Sequence, residues 1–102
     1  MNQTLKPQTE REATSDAELF FRDNPIRLVT HHMRGVYKSD IRAALKVPYF
    51  YRELQTMFDA DPDFGTEYEP FRKNKWVSIT IAEKIVKRWI DNPFCRVEFV
   101  SV

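Results

Sequence analysis

The sequence predicts a small α+β domain in which a short β-sheet packs against three to four helices. Three observations carry that expectation. Apolar residues recur at helical spacing from Ile81 to Ile90. Apolar and β-branched residues cluster at Ile26–Thr30 and alternate with charges from Cys95 to Phe99. Two Asn-Pro pairs separate helical from extended segments. A chain of 102 residues can bury one modest core and not two. With 42% hydrophobic residues it has the material for that core, and with 30% charged residues it has a solvated surface.

Residues 1–13 are polar and aperiodic and contain Pro7, so they are expected to form a flexible tail, with a single α+β domain over residues 14–102. Ser15 and Glu18 have capping-box spacing ahead of a short helix from Asp16 to Arg22 that would bury Ala17, Phe20 and Phe21. Asn24-Pro25 breaks it, because the residue before proline is pushed out of the helical region. Ile26–Thr30 then reads as a strand, and Arg34-Gly35 as a turn into a second short strand at Val36–Tyr37.

Ser39 is placed to cap a helix through Lys46, with Ile41, Ala44 and Leu45 on one face. Pro48 suits the first turn of the next helix, whose apolar positions are Phe50, Leu54, Met57 and Phe58. Asp59–Pro70 contains Pro62, Gly65, Pro70 and most of the acidic residues of its neighbourhood, and reads as an exposed loop. A strand is expected at Lys75–Ile79. Thr80 and Glu83 form another capping pair, ahead of a stripe made of Ile81, Ala82, Ile85, Val86, Trp89 and Ile90. Asn92-Pro93 ends that helix. A terminal strand follows, with Cys95, Val97 and Phe99 on its buried side, and its last three residues break the alternation. Asp-Asn-Pro at both 23–25 and 91–93 joins a helix to a strand, a short coincidence that chance explains.

Composition removes several classes of function. No apolar stretch approaches the roughly 20 residues needed to cross a bilayer, and the N-terminus lacks the basic flank and apolar run of a signal peptide. One cysteine, Cys95, cannot close an internal disulfide, so a reducing cytoplasm is the expected setting. His31 and His32 beside it make no zinc ligand set, and Asp59, Asp61 and Asp63 lack the glycine and glutamate of a calcium loop. Two glycines, Gly35 and Gly65, exclude a Gly-rich phosphate loop. No metal and no cofactor is expected, and a hydrolytic enzyme built on a histidine or on Cys95 is the weakest reading, so the chain is read as a non-enzyme.

Charge is segregated along the chain. Residues 22–52 hold seven bases against two acids, residues 53–70 hold six acids and no base, and residues 71–102 hold seven bases against three acids. Such blocks either build a basic face that attracts phosphate or fold against each other and cancel.

Within the basic block, SDIRAALKVPYFYREL resembles the helix-turn-helix of DNA-binding domains, placing that motif at 39–58. Asp40, Ile41, Ala44, Leu45 and Val47 match its pattern. Lys46 stands where glycine is common, and Phe50 and Leu54 are displaced by about two residues from the usual buried positions of a recognition helix. The preceding segment is loosely similar to the small N-terminal domains of phage antirepressors, without their tryptophan-containing strand.

The resemblance implies that Tyr49, Arg52, Gln55 and Thr56 face base edges or phosphates and that Arg34, Lys38, Arg42 and Lys46 serve the backbone. Glu53 and the acidic stretch after it oppose phosphate. The leading expectation is a small cytoplasmic regulatory protein, of the kind carried by phages or accessory genes, that binds nucleic acid. The alternative is a protein-binding inhibitor or adaptor that docks on a host protein through Tyr49, Tyr51, Tyr68 and the acids of Asp59–Glu69.

Overall fold

A computed structural model describes residues 16–101. The tail expected at 1–13 and the capping hydroxyl of Ser15 lie outside the described residues. Among the described residues the fold is α+β, with five helices and two short sheets of two strands each.

Residues 16–23 are helical (α1). The helix stops where both amides of Asn24 bond to the carbonyl of Phe20, ahead of Pro25. Phe21 packs on the core, whereas Phe20, expected inside, is 57% exposed. Adjacent helical positions point about 100° apart, so a short helix lying on the core presents only one of the two rings to it.

Strand β1 (Ile26–Thr30) pairs in parallel with β4 (Val97–Ser101), Ile26 opposite Val97 and Thr30 opposite Ser101. The terminal strand therefore begins two residues after Cys95, and Val100 and Ser101, where the alternation breaks, continue its ladder. A tight turn follows β1, closed by hydrogen bonds between His31 and Gly35, with Met33 and Gly35 at positive φ. Gly35 is required there twice over. Its φ is +105°, and a Cβ would lie 2.3 Å from the carbonyl oxygen of Val77.

The second sheet is antiparallel, β2 (Val36–Tyr37) with β3 (Trp76–Val77). It replaces most of the longer strand expected at Lys75–Ile79. Ser78 leaves the strand to cap α5 (Ile79–Ile90), its hydroxyl accepting from the amide of Ile81, so the helix starts ahead of the expected Thr80–Glu83 box. Helix α2 (Lys38–Leu45) also starts early, by two residues, with Tyr37 and not Ser39 at its cap position. No side chain caps it; the amide of Lys38 is met by the carbonyl of Lys75, which ties the helix to the strand below.

Lys46 closes α2 in the left-handed conformation, φ 57°, at the position where the helix-turn-helix pattern favours glycine. Helix α3 (Phe50–Ala60) begins two residues after Pro48, which therefore precedes the helix instead of opening it. Helix α2 packs on β1, β2 and α5, while α3 packs on the next helix.

That next helix corrects the sequence reading. Residues expected to form an exposed loop instead form α4 (Pro62–Tyr68) and a 3-10 turn at Glu69–Phe71. Asp61 caps α4 by accepting from the amide of Phe64, Pro62 supplies the preset φ of the first turn, and Phe64 and Tyr68 share one buried face. The core runs through all layers. Phe50, Leu54 and Phe58 of α3 meet Phe64 and Tyr68 of α4, with Ile81, Ile85 and Val86 of α5 and Leu28, Val36, Ile41 and Val77 beneath. Phe58 lies between two rings, stacked on Tyr68 at 3.6 Å and edge-on to Phe64 at 4.6 Å.

Candidate functional site

The left-handed turn at Lys46 throws the chain from α2 into α3 around a corner, and three of the seven bases of residues 22–52, Arg42, Lys46 and Arg52, lie at it. Arg42 and Lys46 are exposed at the end of α2, with the amide of Lys46 bonded to the carbonyl of Arg42. Tyr49 is 61% exposed, and the guanidinium of Arg52 lies 5.2 Å from its ring centre. Thr56, one turn further along α3, is exposed and donates to the carbonyl of Arg52. Arg34 is exposed in the turn between β1 and β2 and donates to the hydroxyl of Tyr37 at 3.1 Å.

Two residues expected on this surface are engaged elsewhere. Lys38 is buried, at 6% exposure, and its Nζ donates to the carbonyls of Phe71 and Arg72 at 2.9 and 3.1 Å while lying 4.8 Å from the centre of the Tyr68 ring. It cannot reach a phosphate from there. Burial, followed by repulsion from Arg72, holds its pKa below the usual lysine value. Gln55 is half-buried; its amide donates to Asp59 and its carbonyl accepts from Arg72, which leaves it bridging two side chains of its own fold.

Ion pairs divide the bases into two groups. Lys84 pairs with Glu67, Arg88 with Asp61, Lys87 with Glu83, and Arg72 with Glu69. Acids of the 53–70 block therefore lie against α5 and its approach and offset the positive charge of the C-terminal segment. Among the described residues, Arg34, Arg42, Lys46 and Arg52 form no ion pair, and neither do Lys38, Lys73 and Lys75. The same arrangement engages part of the acidic and aromatic surface expected for a protein-docking role. Asp61, Glu67 and Glu69 are paired with bases, and Tyr68 is 4% exposed inside the core.

Beside the corner, α3 and α5 enclose an open groove of about 370 Å³ lined by Arg52, Glu53, Thr56, Met57, Arg88 and Trp89. Sequence reasoning assigned Trp89 and Met57 to the core alone. Trp89 in fact sits at the edge of the α5 stripe, half-buried and stacked on Phe50 at 5.0 Å. The available signal was its neighbour: a tryptophan next to Arg88, where the apolar stripe meets the charged face, belongs to a boundary. Of the other reactive candidates, Cys95 is buried, with burial pushing its thiol pKa up against the opposing charge of Lys87. His31 packs against the Tyr37 ring at 4.6 Å.

Among the described residues no three His, Cys, Asp or Glu side chains gather as a metal-ligand set, and no helix is long and apolar enough to cross a membrane. Comparison of the chain with protein-family models, curated proteins and solved structures returns no match.

Proposed function

We propose that this chain is a non-enzymatic regulatory protein of a reducing, cytoplasmic setting that binds nucleic acid through the α2–α3 corner. The observation that carries the reading is the run of exposed bases without ion pairs at that corner. Arg42, Lys46 and Arg52 follow one another around the corner with Tyr49 among them, while the bases of α5 are neutralised by neighbouring acids. Free, exposed guanidinium and ammonium groups bind phosphate oxygens and release condensed counterions, and a tyrosine beside them offers a base a stacking surface. Thr56, one turn beyond Arg52, extends the surface along α3, whereas Arg34 lies in the β1–β2 turn beside Thr30, Ser78 and Ser101. Regulation by such a protein works through occupancy of its target.

The test is fluorescence anisotropy of labelled duplexes and single strands across a salt series. Arg42→Ala with Lys46→Ala is expected to weaken binding to all sequences alike and to lower the salt slope by about 2. Absence of wild-type binding to any DNA or RNA at low salt overturns the reading. The exposure of Tyr49 and Tyr51, at 61% and 53%, then favours the adaptor role, since tyrosine is enriched at the centres of protein interfaces.

A further inference from the structure

We infer that the α3–α5 groove receives an unpaired base, so that the ligand is single-stranded nucleic acid in preference to duplex. This rests on the basic corner being a nucleic-acid surface, and it names which form that surface takes. The link between them is Arg52, which lies over Tyr49 on the corner and also lines the groove. A backbone following Arg42, Lys46 and Arg52 therefore passes the mouth of a cleft that contains an indole ring.

The contents of the cleft suit a base. Trp89 is fixed by its stack on Phe50, so its indole is already ordered before a ligand arrives. Met57 adds a polarisable apolar wall, and Arg88 stands at the rim, held by Asp61 at 3.1 Å. The volume of about 370 Å³ is on the scale of a base with its sugar. In a duplex the faces of the bases are covered by their neighbours and the Watson–Crick edges are paired, so neither is available to such a cleft. In a single strand both are free.

Glu53 gives the cleft a preference among bases. Its carboxylate repels phosphate, but it accepts hydrogen bonds from exocyclic amino groups, which cytosine and adenine carry and thymine and uracil lack. Strands rich in cytosine or adenine should therefore bind better than strands of thymine or uracil.

The experiment uses the full chain and labelled oligomers of cytosine, adenine or thymine, their RNA counterparts, and a mixed-sequence duplex, all at one low salt concentration. Single strands are expected to bind more tightly than duplex, with cytosine and adenine ahead of thymine. Trp89→Leu, which keeps apolar bulk but removes the stacking surface, should weaken single-strand binding by roughly 5- to 150-fold, with Trp89→Phe recovering much of the loss. Glu53→Gln should raise overall affinity while narrowing the cytosine-over-thymine ratio. Glu53 is exposed, so that variant serves even if Trp89→Leu unfolds, which a urea titration reports. Duplex bound as tightly as single strands, or a cytosine-over-thymine ratio unchanged by Glu53→Gln, overturns the inference and leaves the basic corner standing. Absence of binding to every nucleic acid overturns both.

Discussion

An ammonium group withdrawn from water is costly unless its donors are met, and Lys38 meets them with two main-chain carbonyls and the face of Tyr68. Those carbonyls lie 33 and 34 residues away in the chain, which is why the sequence offered only one more base in a basic segment. Its local surroundings, a tyrosine before and a serine after, carry no sign of burial. Lys38→Met is expected to destabilise the fold by about 1 to 3 kcal/mol, because two buried carbonyls lose a charged donor. The pH dependence has a definite sign. The folded-state pKa of Lys38 is lowered by burial and by Arg72, so the unfolded chain binds more protons between that value and the usual 10.5. Wild-type stability relative to Lys38→Met should therefore rise as pH climbs through that window. Urea titrations of both proteins at neutral and alkaline pH measure the difference. Gly35 is the other residue whose role depends on distant atoms. Gly35→Ala should cost more than about 1 kcal/mol, since a left-handed alanine would also strike the carbonyl of Val77.

At the scale of elements, α4 and α5 show why one helix was legible and the other was not. The stripe of α5 contains six apolar positions in ten residues, and Ile85 and Val86 are fully buried at its centre. Ile85→Ala should cost about 2 to 5 kcal/mol by leaving a cavity, whereas Lys87→Ala, on the solvent side, should cost less than about 0.5; equal urea midpoints would contradict the packing. Helix α4 has only seven residues, two of them proline and glycine and two of them acidic. Composition argued for a loop, although Asp61-Pro62 is a helix start and Phe64 and Tyr68 stand four apart, the spacing of one buried face. Tertiary packing on Phe58 decides the outcome. The cap is testable through its charge. The amide of Phe64 foremost, opposed by desolvation and then aided by Arg88, holds the Asp61 carboxyl below the usual range. Its contribution is present above the unfolded-state pKa and is lost as pH falls through the lower folded value. Asp61→Ala should lower the melting temperature near pH 7, Asp61→Asn should lose less because it still caps, and the difference between wild type and Asp61→Ala should shrink in acid.

Across the whole molecule, the segregated charge resolves unevenly. Acids of residues 53–70 fold against α5 and pair with Lys84 and Arg88, while Arg42, Lys46 and Arg52 at the corner are left without ion pairs. The sequence showed the blocks but not which of them would meet, because that depends on α4 existing and packing beside α5. Strand pairing has the same character. Alternation marked the C-terminal segment as a strand, yet nothing in its period names a partner, and the partner is β1, some 71 residues earlier at the pair Arg27–Glu98. This parallel ladder is the longest strand pairing among the described residues and fastens the C-terminal segment to the first strand. The backbone of Ile26 also donates to Arg96, and Thr30 to the carbonyl of Val100. Without β4, strand β1 loses its five-residue partner among the described residues, Leu28 loses its neighbour Phe99, and a two-residue ribbon cannot substitute, since so small a sheet is not stable alone. A chain ending at Arg96 is therefore expected to lose its cooperative unfolding transition. Circular dichroism during a urea titration measures this, with Val100→Ser, an exposed strand residue, as the control that stays folded. A sharp transition at the wild-type midpoint in the shortened chain would show that the helices and the β2–β3 ribbon hold the core by themselves.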